Sequence, residues 1–555
     1  MPNPLPAESL HSETFNPVDP DAPGAFGRRG WLWTAAVLAA IALPTLLLPL
    51  SHDQSFFFVT AQRMIRGAVL YRDLVDIKPP LLYHMYALAA LFGDSGISVR
   101  ILDLVLQGVT CWLMIALVRR SGGGDRIAAL AAAIFLVCYY GQGYGDTAQC
   151  EGFAGLLGFG TAWMIMYRRT AAGFFSAGLL LGAIVMMKFP MGLLLPAVIV
   201  LDLTAFVETW SGRARLYGWL LGGFCIVLAA FALFLTMNNA WHSYRLIMEF
   251  TSAYAAIETH SPGTWIRNLL TMVPLHLALD YSLLLVAATC AGLLYTVRAA
   301  PGEAGAARNA SFVLLLRFNA LAFVALLLSI IVEAKYPGYH FERLYPFGAP
   351  LAAAGLAAAR TWLARRQSRT VYRRLLAPAL VCGMVLFGPL PRYVWHSLIP
   401  AAQAVQGIDP APDGLHAFAR RLGAGTYPHA DGTTTPRRLR QGDLFVMSSQ
   451  AALIYLHAGL LPENNVYMSA YIQAPFASQE WKDETGRFLL EHRPRVIVLD
   501  RGDALPGISG TELTSLDAMR ALPGVAAMLD SDYVRVWELE NAQGARPVVY
   551  ERKGS

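Results

Sequence analysis

A chain of 555 residues with 55% hydrophobic and only 15% charged residues is too apolar to be an ordinary water-soluble globule. Its net charge of +6 comes from arginines scattered in short clusters between apolar runs; this excludes a nucleic-acid-binding face and leaves the lipid bilayer as their partner. Of six cysteines, Cys111, Cys138, Cys225, Cys290 and Cys382 lie within apolar runs and Cys150 at the edge of one, so no disulfide framework or CxxC metal site is visible.

Residues 1–27 are rich in Pro, Asp, Ser and Ala and read as a disordered lead-in. Arg28 and Arg29 then precede a long apolar run, 31–50, which fits a retained first span better than a cleavable signal peptide. Further apolar runs at 98–118, 127–140, 152–167, 172–187, 190–207, 217–236, 279–297, 311–332, 344–362 and 375–391 give about eleven spans. Each is near the roughly 20 residues an α-helix needs to cross a bilayer core of about 30 Å. Helices satisfy every backbone group internally, so the expected fold is a polytopic α-helical membrane protein.

Arginine clusters order the topology. One set of loops carries Arg28 and Arg29, Arg119, Arg120 and Arg126, Arg168 and Arg169, Arg213 and Arg215, Arg298 and Arg308, and the dense group from Arg360 to Arg374. That side is expected to be cytoplasmic. The opposite side then holds 51–97, 141–151, 237–278, 333–343 and the chain after about residue 392, with the N-terminus inside and the C-terminus outside.

Within the first outer segment, 55–67 places Phe57, Ala61, Met64 and Ile65 on one helical face, the pattern of a helix lying in the interface plane. A second apolar piece, 81–92, follows Pro79 and Pro80 and is too short to span comfortably. Beyond residue 392, short strands at 445–448, 466–468, 496–499 and 534–537 alternate with helical stretches such as 479–491. The domain plan is therefore a transmembrane catalytic domain over 28–392 and a soluble α/β domain over 393–555. No internal repeat or inverted pair of broken helices is visible.

Asp53 follows the first span directly, where it is either a helix N-cap or a reactive acid. Its loop holds Arg63, Arg66, Arg72 and Lys78 on the side where basic residues are scarce, mixed with Asp73 and Asp76. A cationic, partly amphipathic loop suits a lipid phosphate, with Arg and Lys donating to its oxygens. Arg66 and Arg72 can equally form surface ion pairs with Asp73 and Asp76. Lys78 differs, because Pro79–Pro80 fixes the chain direction just after it.

The second outer loop brings flexible glycines, tyrosines and two acids, Asp146 and Glu151, to a helix start, where they either cap it or supply a base and a site for positive charge. Lys188, beside Pro190 at a membrane boundary, is either a snorkelling lysine or a functional one. His340 sits between aromatics, as a packing residue or a ligand.

The run Asp53–Gln54, then Gly67–Ala68–Val69–Leu70–Tyr71–Arg72–Asp73, then Asp76–Ile77–Lys78–Pro79–Pro80–Leu81, with Arg100 opening the next span, resembles the first outer loop of the GT-C superfamily. The branch it resembles is the bacterial glycosyltransferase family 39 group, related to protein O-mannosyltransferases and to the aminoarabinose lipid A transferase. Glu151 and Lys188 fall where that group has its second acidic loop and a membrane-edge lysine, and His340 with Pro346 is similar to its late signature. The resemblance covers roughly residues 30–350. Two departures stand out: Tyr339–His340–Phe341 replaces the usual His-Tyr order, and Gln54 follows Asp53 where many members have a second acid.

The resemblance implies an inverting transfer of a sugar from a polyprenyl-phosphate donor to an acceptor hydroxyl of an envelope glycan, lipid or protein, at the periplasmic face of a bacterial inner membrane. It implies Asp53 as the base, Glu151 as its catalytic partner, and Lys78, Arg72, Arg66 and Lys188 around the donor phosphate. Tyr71, Asp146 and His340 are then expected at the substrate. A divalent metal stays open, with Asp53, Glu151 and His340 as candidate ligands. The rival readings are a transporter or flippase of lipid-linked sugars and a structural subunit of an envelope polysaccharide complex.

Overall fold

The computed structural model describes residues 5–6, 26–259, 261–298, 306–366, 383, 388–411, 414–539 and 545–554. Most of the lead-in at 1–27 and most of the expected span at 375–391 lie outside them. The chain packs as two units. The first comprises Met1–Leu48, Val99–Ala232 and Ile266–Val405; the second comprises Pro49–Ser98, Leu233–Trp265 and Gln406–Ser555. The expected division near residue 392 thus captures only part of the second unit, which also takes in two segments from the N-terminal half.

The first unit is helical. Among the described residues, Arg28–Leu47, Ile97–Arg120, Trp210–Met237 and Ala310–Glu333 are long and apolar enough to cross a bilayer, and Pro262–Leu279 with Leu283–Thr296, bent by 96°, makes up to a fifth span. The chain is a multi-pass membrane protein. The expected count of about eleven is not reached on length and composition, because several apolar runs form shorter helices: Asp125–Gly141, Ala154–Tyr167, Ala171–Met187 and Leu194–Ala205. The last two are separated at Lys188, whose extended backbone and the following Pro190 end one helix before the next begins. The expected outer loop 237–278 is instead largely the two helices Trp241–Thr259 and Pro262–Leu279.

Close helix contacts are made through small residues, as the absence of a hydrophobic driving force inside lipid requires. A Cβ on Gly178 would collide with the Leu220 carbonyl, and one on Gly223 with the Phe175 carbonyl. The same holds for Gly292 against Leu351 and Gly355 against Ala288. Charged residues expected in inner loops meet at one end of this unit. Arg119 donates to Asp125 at 2.7 Å and lies over Trp31, Arg120 lies over Tyr167, and Arg169 pairs with Asp202 at 2.5 Å. At the bend after Leu279, Asp280 is held by His276 at 2.6 Å and by Arg392, which also donates to Gln142.

The second unit contains a four-stranded sheet in the order Leu444–Met447, Val496–Asp500, Pro547–Arg552, Tyr533–Glu538. The first two strands are parallel and the other pairings antiparallel. The central Val496–Asp500 strand is buried at every position, which explains its uninterrupted apolar run. The helix His52–Ile65 packs inside this unit: Phe57 and Ala61 are buried, Phe56 lies 5.0 Å from the Tyr467 ring, and Thr60 meets the Tyr467 hydroxyl at 2.5 Å. That overturns the interface-plane reading of 55–67. The outward apolar surface belongs instead to the end of the next helix, Pro80–Ala90, where Leu88, Leu91 and Phe92 are exposed.

Candidate active site

In the second unit, the helix bearing Asp53 starts from a capping box in which Gln54 Oε1 accepts from the Ser51 amide at 3.0 Å. Asp53 stands in the first turn, where the helix dipole favours its negative charge. It is not the cap; Ser51 is. Lys78 reaches Asp53 from the N-terminus of the helix Pro80–Ala90, with Nζ 3.4 Å from Oδ2 and 4.1 Å from the centroid of the Phe57 ring. The backbone at Lys78 is braced as the Pro79–Pro80 sequence suggests. Its carbonyl accepts from the Tyr71 hydroxyl at 2.9 Å, and Tyr71 is itself buried, with a left-handed backbone (φ 71°), and packs edge-on against Tyr244. Tyr71, expected at the substrate, thus braces the Lys78 backbone.

The Asp53–Lys78 pair is partly exposed, at 38% and 19% of the respective side chains, so it is worth no more than about 1 kcal/mol. A phosphate, which offers several anionic oxygens, can take the ammonium from it. Arg72 pairs with Asp73 at 2.9 Å, and Arg66 lies 4.0 Å from Asp94, both at the surface. Asp76 takes no arginine. It is buried, accepts from the Tyr471 hydroxyl at 2.5 Å, and is pushed above the usual carboxylate range by burial.

In the first unit, Glu151 lies in the 3₁₀ turn Cys150–Phe153 and is fully buried. Its Oε1 meets Lys188 Nζ at 2.5 Å and Arg343 Nη2 at 3.1 Å, and Cys150 Sγ donates to Oε2. Lys188 also reaches Glu333 at 2.8 Å and His340 Nε2 at 2.8 Å. Arg343 completes the ring by donating to Glu333 at 2.5 Å and to Ser329 at 2.7 Å. His340 accepts from Lys188 on Nε2 and donates from Nδ1 to the Lys335 carbonyl at 3.0 Å, which defines a neutral imidazole. Burial, with Lys188 beside it, pushes its pKa down to about 3. Two carboxylates thus face two cations and a neutral histidine, and Lys188, 16% exposed, and Glu333, 10% exposed, keep an edge toward solvent. Asp146 is half-buried and close enough to act on the charge of Arg392.

The structure brings Glu151, Lys188 and His340 together, and Asp53 with Lys78. It adds Glu333 and Arg343 to the first group. Their signals were available: Glu333 is the acid that ends a long apolar run, and Arg343 closes the segment that carries His340. Among the described residues no group of three or more His, Cys, Asp or Glu side chains is arranged to hold a metal ion. Lys188 stands in ion-pair or hydrogen-bond contact with both Glu151 and His340, where a shared metal would have to sit.

A family profile described as dolichyl-phosphate-mannose-protein mannosyltransferase matches residues 77–241. The crystal structure of ArnT from Cupriavidus metallidurans bound to undecaprenyl phosphate is similar in fold, with a TM-score of 0.51 at 12% identity, covering 95% of this chain and 99% of that one. The chain shares the fold of ArnT, and its residues 77–241 are similar to the mannosyltransferase family. The structure of the archaeal oligosaccharyltransferase AglB from Archaeoglobus fulgidus in complex with an inhibitory peptide and a dolichol-phosphate aligns with 94% of this chain and 74% of that one, at 13% identity and a TM-score of 0.47. No curated protein matches this chain by sequence.

Proposed function

We propose that this protein is an inverting glycosyltransferase of the GT-C type that moves a sugar from a polyprenyl-phosphate donor to an acceptor hydroxyl. The observation that carries the reading is the weak Asp53–Lys78 pair, whose lysine stands at the head of the family-matched segment. The ArnT structure of similar fold is bound to undecaprenyl phosphate, a polyprenol phosphate. When the donor phosphate takes the Lys78 ammonium, the Asp53 carboxylate is released from that ion pair. It then removes the acceptor proton as the acceptor oxygen attacks the anomeric carbon from the face opposite the phosphate. The bond between that carbon and the phosphate oxygen breaks, its electron pair leaves with the polyprenyl phosphate, and Lys78 neutralises the developing charge. Arg66 and Arg72 add to the cationic field at the donor headgroup. Glu151 is a positioning residue that aims Lys188.

Lys78→Ala is expected to raise the donor KM more than Lys78→Arg, because arginine keeps the charge and changes only its geometry. The assay supplies purified protein with radiolabelled polyprenyl-phosphate sugar and follows release of polyprenyl phosphate. Equal donor KM in wild type and Lys78→Ala would remove Lys78 from the phosphate site, and no release by the wild type would favour a carrier or a structural subunit.

The arginine-rich loops assigned to the cytoplasm favour a reaction at the extracytoplasmic face of a bacterial inner membrane. A phosphatase fused after residue 555 is accordingly expected to be active. An inactive phosphatase together with a fluorescent cytoplasmic reporter at the same point would reverse the orientation.

A further inference from the structure

A cavity of about 620 Å³ lies wholly within the second unit. Its walls come from the loop 71–75, the start of the helix Trp241–Thr259, the segment at Asn465 and the start of the helix Gln479–His492. These stretches, far apart in the chain, are tied to one another around it. The Val75 amide donates to the Asn465 carbonyl at 3.4 Å, the Asn465 side-chain amide donates to Glu484 at 2.6 Å, and His242 meets Glu480 at 2.8 Å. The Tyr71 and Tyr244 rings pack with centroids 5.1 Å apart.

Two guanidiniums, Arg72 and Arg487, and three carboxylates, Glu480, Asp483 and Glu484, line the cavity. Val75 and Trp481 add buried apolar surface. Its volume falls within the roughly 300–1,000 Å³ of small-molecule sites, enough for a few sugar rings. Carboxylates outnumber guanidiniums, and Arg72 is already paired with Asp73 at 2.9 Å, so an anionic headgroup or acidic glycan is disfavoured. A neutral, hydroxyl-rich ligand suits the lining: each sugar hydroxyl gives its proton to a carboxylate and accepts from a guanidinium or amide. A peptide would pair with a strand edge or lodge side chains in an apolar pocket, whereas this lining comes from helices and loops and is mostly charged.

The cavity also adjoins the candidate active site. Tyr71, which lines it, gives its hydroxyl to the Lys78 carbonyl, so one tyrosine side chain links its wall to the residue proposed to take the donor phosphate. We propose that the cavity is the acceptor subsite and that the acceptor is a neutral glycan, whose sugar units beyond the reacting one lie among Asp483, Glu484 and Arg487. This acceptor role rests on the proposed transfer reaction; binding of the glycan does not.

Fluorescently labelled full-length protein in lipid nanodiscs is applied to an array printed with neutral di- to tetrasaccharides, uronate-bearing tetrasaccharides and serine-rich peptides. The wild type is expected to bind neutral oligosaccharides, and the double variant Asp483→Ala with Arg487→Ala to bind them about tenfold more weakly or worse. Both side chains are exposed, so their loss leaves the fold intact. The best-bound oligosaccharide is then supplied as acceptor with radiolabelled polyprenyl-phosphate sugar. The acceptor KM is expected to rise by a similar factor in the double variant, with the donor KM within about twofold of wild type. No binding to neutral glycans, binding to uronate-bearing glycans or peptides alone, equal binding by the two proteins, or an unchanged acceptor KM would each overturn the proposal. Array binding needs no chemistry. A wild type that binds glycan yet releases no polyprenyl phosphate therefore refutes the transfer reaction, and one that releases it without binding glycan refutes only the role of the cavity.

Discussion

Asp53→Asn is expected to lower kcat for sugar transfer by a factor on the order of 10²–10⁴, with the donor KM within a few-fold of wild type. Asparagine keeps the shape of the side chain and one hydrogen-bonding oxygen, but it cannot accept the acceptor's proton. The helix keeps its cap, because Ser51 and Gln54 form the box and Asp53 takes no part in it. The loss of the Lys78 partner removes about 1 kcal/mol at most, too little to unfold the protein and in the direction of easier phosphate capture. Single-turnover transfer by monodisperse, detergent-purified Asp53→Asn protein is the measurement. Near-wild-type rates would place the base elsewhere, with Glu151 and Asp146 next to be tested.

Arg343→Leu is expected to cost on the order of 3–5 kcal/mol of stability, because it leaves two buried carboxylates with one cation between them. The loss should show as a much lower midpoint for thermal aggregation and a lower yield of monodisperse protein. Removing the surplus charge at the same time tests the cause. In Arg343→Leu with Glu333→Gln, Lys188 is left with Glu151 alone, and a substantial part of the stability is expected to return. A double variant as unstable as the single one would mean that Arg343 acts through its shape and its bond to Ser329, and that its charge is incidental.

Much of this site is legible in the chain itself. The sequence Lys78–Pro79–Pro80 predicts a reproducibly aimed ammonium, and the backbone there is indeed held, although by a tyrosine whose own role was read differently. Short strands expected at 445–448, 496–499 and 534–537 correspond to Leu444–Met447, Val496–Asp500 and Tyr533–Glu538. Pro547–Arg552 escaped because a leading proline and two terminal charges mask a strand that is buried between two others. The piece at 466–468 is reduced to a single bridge between Ser448 and Met468.

The misread helix at 55–67 fails for a related reason. An apolar stripe reports that a face is covered, and Phe57 and Ala61 are covered by protein where lipid was expected. Partners distant in sequence are the least legible part. Glu151 and Arg343 stand 192 residues apart, and no local periodicity connects them.

The spacing of the same ring of charges bears on how the chain is made. A membrane protein emerges N-terminus first, and a lone charge is costly to leave in the bilayer while its partner is still to come. Glu151 and Lys188 are only 37 residues apart, and Glu333 and Arg343 only 10. Each acid therefore has a base that follows it within one or two helices. The four charges can enter the membrane as two pairs, each already neutral, and the later pair docks onto the earlier one without any unpaired charge having waited in lipid.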